Sequence, residues 1–301
     1  MVFRRAVNSK KPPKSCNPGE CPQRCLIAEF KQKCPRRKFY ECINANMRIA
    51  SFDIYSNKFK LIQDLMSSDA ERQKIFYTCH VTADLNFEEM LDPKLVKLCK
   101  KEMDVVFTSH DWVAIEAFTT LEFMKRIHFV KMLNADEANL ILKHSFFTLS
   151  IVFMAGRSYF DKKEFMVFPG KVDVFPEEIS DQYPLDLLNR IRCRLISKFI
   201  ELRITTEEFL LMVITYFCQI SSMLVGSSAK RIIEEYLSIY LSTLGINCNF
   251  RFQKHGRIRY LNIIFLSQLI EKTIEDLAQL FTLFQLNQPT LPLRKLVKES
   301  L

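Results

Sequence analysis

Five cysteines crowd into the first 42 residues of this 301-residue chain: Cys16, Cys21, Cys25, Cys34 and Cys42. A thiolate is a soft ligand, and four Cys or His side chains at short spacing close a tetrahedral structural zinc site. Cys16, Cys21 or Cys25, and Cys34 supply three ligands, or all four of Cys16, Cys21, Cys25 and Cys34 a complete set, so zinc is the cofactor to weigh for this stretch. The spacings, C-x4-C and C-x3-C, are unusual, and Arg37 stands where a C-x2-C partner of Cys34 would fall. Without metal, so short and proline-rich an arm has little to fold around. The other five cysteines (Cys79, Cys99, Cys193, Cys218, Cys248) are scattered in mostly apolar patterns, where a thiol packs as a small hydrophobe.

The basic charge lies on the same arm. Residues 1–48 hold 12 Lys/Arg against 3 Asp/Glu, an excess of 9 that equals the +9 of the whole chain. Such asymmetry favours a polyanion contact through the arm alone. Arg4, Arg5, Arg36, Arg37 and Lys38 are the candidate DNA contacts, and the contact they can make is weak, non-specific and steeply salt-dependent. The competing reading is a solvated tail or a nuclear import signal.

The rest of the chain offers no catalytic signature. G-x-G-x-x-G, a phosphate loop, H-E-x-x-H and G-x-S-x-G are all missing, and the five histidines do not pair with cysteines at catalytic spacing. No enzyme is expected. The longest nearly apolar run, residues 146–156, is 11 residues and short of the roughly 20 that span a bilayer, so no membrane role is expected either.

What positions these residues is helical. Five of the 11 prolines fall before residue 49, and residues 48–57 read as a connector. From residue 58 apolar residues recur at three- and four-residue steps. Helices are expected at about 59–78, 112–133, 135–159, 184–203, 206–220, 227–244 and 257–287. Asn134 with Glu137, and Thr205 with Glu208, have the spacing of N-terminal capping boxes. Pro169-Gly170 between two β-prone runs suggests a small hairpin over 164–175. The fold class that follows is all-α, a layered helical core with one small β-hairpin, preceded by the basic arm.

Three stretches carry a family resemblance. "FRRAV" at 3–7, followed by "CPRRKFYECINANM" at 34–47, resembles the DNA-binding domain of nuclear hormone receptors. Cys34 matches the first cysteine of the pair closing the second zinc module, Arg37 replaces the second, and Cys42 and Met47 match the later cysteine and methionine. "EFMKRIHFVKMLNADEANLILK" at 122–143 resembles the signature of that family's ligand-binding domain. The matches there are Phe123, Lys125, Phe129, Leu133, Asp136, Leu140 and Ile141, with Glu137 for the usual glutamine and the Lys-to-Asp spacing about one residue short. "LVKESL" at 296–301 is similar to the activation helix, with Ser300 as the departure. The divergent cysteine frame is similar to the expanded receptor family of nematodes.

The resemblance implies a degenerate zinc-finger remnant over 1–48 whose first module is not in this sequence, a hinge over 49–57, and a ligand-binding-type domain over 58–301. It implies a nuclear transcription regulator with impaired DNA binding. Coactivator or corepressor helices would be held between Lys125 and Glu299, with Val130, Leu142 and Leu296 as apolar wall, because a lysine suits a helix's last carbonyls and a glutamate its free amides. Arg157 resembles an arginine that meets an acidic ligand head, with Phe123, Phe153, Met154 and Met212 as the walls of a pocket for a small lipophilic molecule. Residues 257–287 would carry a homo- or heterodimer contact. Other readings stand beside these: Lys125 as a surface lysine and 296–301 as a frayed tail, Arg157 bonding helix carbonyls or a nearby acid, and the aromatic and Met positions as core. Two alternatives of function also stand, a dominant-negative dimerisation partner of intact receptors and an all-α lipid carrier.

Overall fold

A computed structural model describes residues 47–102, 105–287 and 295–299. Arg4, Arg5, Arg36, Arg37, Lys38 and the cysteines Cys16, Cys21, Cys25 and Cys34 lie outside them. The chain divides into two compact units, Met1–Asp64 and Leu65–Leu301, and the second carries the helical core.

Helix α1 runs Met47–Thr78, so residues 48–57 are helical rather than a connector. The physical reason is plain in "RIASFDIYSN": it has no Gly or Pro to stop a helix. Strand β1 (Cys79–Val81) follows, then helix α2 (Phe87–Leu91) and strand β2 (Leu98–Lys100). β1 and β2 pair antiparallel, Cys79 opposite Lys100 and Val81 opposite Leu98.

Helix α3 (Ser109–Arg126) opens on a capping box from Thr108 and Asp111. It stops at Ile127, and the short α4 (His128–Met132) begins at once. One helix over 112–133 was the expectation. The Ile127 backbone leaves helical angles (φ −64°, ψ 134°), and on either side of that break Ile127 and Phe129 are both buried. Helix α5 (Ala135–Phe160) starts where Asn134 accepts the Glu137 amide at 2.8 Å. It is long and apolar enough to cross a membrane, which the 11-residue apolar run had argued against. Here it is a core helix, with Ile141, Leu149, Val152 and Phe153 fully enclosed.

The hairpin over 164–175 reduces to one antiparallel bridge, Val167 with Asp173, around a 3₁₀ turn at Pro169–Lys171. Gly170 takes φ 75°, a conformation that favours glycine. No strand grows from it because other groups take the backbone's bonds. Ser158 bonds both amide and carbonyl of Val167, and the Met166 amide reaches the Arg192 carbonyl.

The remaining elements are α6 (Glu177–Ser180), α7 (Leu185–Leu202), α8 (Thr206–Ser222), α9 (Ser227–Phe252), α10 (Gly256–Ile264), α11 (Leu266–Asn287) and α12 (Lys295–Glu299). The Thr205–Glu208 capping box forms as its spacing foretells. The helix expected over 257–287 bends at Phe265, a single turn-like residue (φ −65°, ψ −11°) between α10 and α11. α5 packs on α3, α7, α8 and α11, while α8 packs on α5, α9 and α10. α5 and α8 are therefore the inner layer of an all-α stack. Cys218 and Cys248 are buried free thiols within it, as their apolar settings imply. Burial pushes the Cys248 thiol up to about 12.

Candidate functional site

α3 places one acid in the middle of the domain. Glu116 is fully enclosed and binds two arginines: Arg72 of α1 at 3.1 Å, and Arg157 of α5 in a close ion pair. Arg72 also binds Asp69 at 2.7 Å. Two guanidinium groups and two carboxylates thus balance inside the core, as buried charges must. The Nε and remaining Nη of Arg157 have no hydrogen-bond partner. The guanidinium lies instead over the Phe76 ring at 4.0 Å and the Phe168 ring at 5.5 Å. Burial pulls the Arg157 pKa down, and Glu116 opposes that.

Arg157 thus pairs with an acid of this chain, the alternative raised beside its ligand-contact reading. Phe123, Phe153 and Met212 are core, with Phe123 and Phe153 edge-to-face at 5.1 Å. Arg72 lies over the Phe153 ring at 4.1 Å. None of the three lines the apolar cavity between α3, α5, α7 and α11.

Met154 does line one. A mostly apolar cavity of about 80 Å³ lies between α3, α5, α7, α11, α12 and the segment around α6. Val113, Met154, Phe175, Leu277, Phe281 and Leu296 are among its walls, and its polar groups come from His110, Glu116 and Ser150. The apolar pattern of α3 concealed Glu116. The signal was there: a lone acid inside "WVAIEAFTTL" must find a cation if that face is buried.

The C-terminal helix α12 closes this cavity. Leu296 is buried in its wall, while Glu299 is exposed. The Glu299 carboxylate accepts the Phe87 amide, the first of α2, at 2.9 Å. The Lys295 amide reaches Asp84 at 3.3 Å, and its ammonium lies 3.6 Å from Glu89. Lys125, near the end of α3, pairs with Glu122 at 2.8 Å. Val130 on α4 and Leu142 on α5 are buried. Of the residues expected to hold a partner helix, Leu296 and Glu299 therefore meet at α12, and the glutamate already caps a helix of this chain.

Elsewhere, an open groove of about 700 Å³ lies between α9 and α10, lined by Leu237, Leu241, Arg257, Tyr260 and Leu261. Beside it α10 exposes Ile258 and Leu261, and the bend exposes Phe265. Among the described residues no group of three or more His, Cys, Asp or Glu could hold a metal ion.

Residues 96–287 match the model of the ligand-binding domain of nuclear hormone receptor. The nuclear hormone receptor family member nhr-27 of Caenorhabditis elegans is 32% identical over 260 residues, covering 86% of this chain and 73% of that protein. Two more from the same nematode, family members nhr-167 and nhr-9, are 27% and 26% identical across the full length of this chain.

Proposed function

The chain belongs to the nuclear hormone receptor family, and from that premise we propose that this receptor-like transcription regulator works in the nucleus by presenting α12 to coregulator helices. One observation carries the reading. α12 has one residue in the cavity wall, Leu296, and three residues on an exposed carboxylate, Glu299, that bonds a helix's first amide. A partner's helix offers the same free amides. Lys125 is the candidate for its carbonyl end.

The cavity supports a neutral, apolar ligand over an acidic one, because the arginines beside it are neutralised by carboxylates. At about 80 Å³ it is far below the ~300–1,000 Å³ of a drug-sized site, so such a ligand enters only as walls such as Met154 and Phe281 move. Exposed Ile258, Leu261 and Phe265 support the dimer contact through residues 257–287. The basic arm would add a salt-dependent, non-specific hold on DNA, with zinc bound only if Cys16, Cys21, Cys25 and Cys34 form a set without Arg37.

The test is a fluorescence-anisotropy titration of the full chain with a labelled peptide bearing a Leu-x-x-Leu-Leu helix. Glu299→Lys should abolish binding while leaving the thermal transition in place, since the side chain is exposed. Undiminished binding by the variant would sink the assignment.

A further inference from the structure

α2 reads Phe87-Glu88-Glu89-Met90-Leu91, with apolar residues at its first, fourth and fifth positions. That spacing makes one face of a short helix, the kind that lies in an apolar groove. Phe87 and Met90 are buried and Leu91 half-buried, whereas Glu88 is exposed. Phe87 packs on Phe146 of α5 at 5.3 Å. Glu88 pairs with Lys143 of α5 at 2.8 Å, and the Lys143 ammonium also lies 5.8 Å from the Phe87 ring. Met90 and Leu296 meet around a small gap with Leu85, Val113 and Ala114. At the head of α2 stands Glu299, on the Phe87 amide. A helix from this same chain is thus seated, with its apolar face inward and its first amide capped, on the glutamate that a partner helix would need.

We propose that Lys143, Phe146, Leu296 and Glu299 form a helix-docking face that α2 occupies, and that the partner helix displacing it carries an aromatic residue, an acid directly after it, and two apolar residues three and four positions on. This rests on the coregulator reading and gives it a sequence preference. The motif's elements have named counterparts: Phe146 for the aromatic ring, Lys143 for the acid, Leu296 for the first of the apolar pair, Glu299 for the free amide. α2 is displaceable because five residues do not hold a helix unaided. What holds it is the burial of Phe87 and Met90, which the aromatic and apolar residues of a partner would replace, together with a capping box between Asn86 and Glu89 and surface ion pairs of small worth. While α2 is docked, a partner's apparent affinity is reduced by the small fraction of chains in which the face is open. Loosening α2 therefore tightens partner binding.

The full chain is titrated by anisotropy with two labelled peptides, one with a Phe-Glu-Glu-Met-Leu core and one with Phe-Lys-Glu-Met-Leu. Asn86→Ala removes the cap of α2 and leaves the docking face intact; it should bind the first peptide about fivefold more tightly than the unaltered chain. Glu88→Lys, which breaks the Lys143 pair on the solvent side, should act in the same direction. Lys143→Glu should reverse the preference between the two peptides. Equal binding by Asn86→Ala, Glu88→Lys and the unaltered chain overturns the competition, and an unchanged preference in Lys143→Glu overturns the motif. If a Leu-x-x-Leu-Leu peptide still binds and still responds to Glu299→Lys, the coregulator reading survives that failure. If no peptide binds any form of the chain, both fall.

Discussion

Replacing Glu116 by glutamine keeps the volume of the side chain and deletes its charge. In the native core Glu116 and Asp69 face Arg72 and Arg157, two charges of each sign. The variant leaves two arginines against one aspartate. Arg157 then carries an uncompensated charge at 5% side-chain exposure. An arginine cannot escape by losing its proton. Unit charges about 4 Å apart interact by about 4 kcal/mol at an effective dielectric near 20, and breaking a buried pair from one side costs about 3–5 kcal/mol. Against a total of about 5–15 kcal/mol, that is a large share. With an m-value of roughly 3 kcal/mol/M, the urea midpoint of the full chain, followed by far-ultraviolet circular dichroism, should fall by about 1–1.7 M. The double variant Glu116→Leu with Arg157→Leu leaves Arg72 and Asp69 paired one to one and should recover most of that loss, because apolar replacement of a buried pair is close to neutral. A midpoint within about 0.2 M of the unaltered chain for Glu116→Gln, or a double variant worse than the single, refutes the charge-balance argument.

Lys101 supplies a test in pH. Its ammonium lies 3.5 Å from the Trp112 ring centre and donates to the Phe76 carbonyl at 2.6 Å; burial, with the Arg157 charge nearby, pulls its pKa from 10.5 to about 8. Between those two values the unfolded chain holds more protons than the native one, so stability should rise with pH from about 8 toward 10.5, and Lys101→Met should flatten that slope in denaturation midpoints taken across the window. Gly156→Ala should cost about 1–3 kcal/mol in the same denaturation assay, because a methyl there overlaps the Phe209 ring, itself walled in by Phe153, Phe160 and Phe199; a loss under 0.5 kcal/mol would mean that the ring moves aside freely.

The features legible in the sequence are the local ones. Asn134 and Thr205 start their helices where their spacing says, because a cap needs only its own first turn. The break at Ile127 was not legible, since no Gly or Pro marks it and the residue that leaves helical angles sits in an otherwise helical pattern. Pro169-Gly170 makes its turn, but whether strands extend from it depends on Ser158 and on the Arg192 carbonyl, one 9 residues away and the other beyond the turn. At the site, Arg157 was noticed and its counter-ion was not. The pair spans 41 residues, and Glu116 sits in an apolar stripe that reads as core. Glu299 was read as a clamp on a partner's helix, and in the structure it caps a helix of its own chain. Its present partner, the Phe87 amide, lies 212 residues upstream, and no periodicity connects the two.

These contacts set how tightly α12 is held. α12 has five residues, too few to persist as a helix alone. What keeps it in place is the burial of Leu296, worth about 1.5–3 kcal/mol, the surface attraction of Lys295 to Asp84 and Glu89, and the bond from Phe87 to Glu299. The sum is small beside the stability of the domain, so α12 can release while α3, α5 and α8 stay folded. On the proposed function, a molecule in the cavity would touch the wall that Leu296 forms, and a helix on the surface would compete for the carboxylate three residues on. Either acts only through its differential affinity for the docked and released forms, and a bias of about 1–3 kcal/mol, the usual size of a coupling between sites, matches the hold on α12. α2 enters the same balance from inside the chain, because it contributes the Phe87 amide, the Glu89 carboxylate and the Met90 contact that help keep α12 docked, while occupying the face that α12 helps to build.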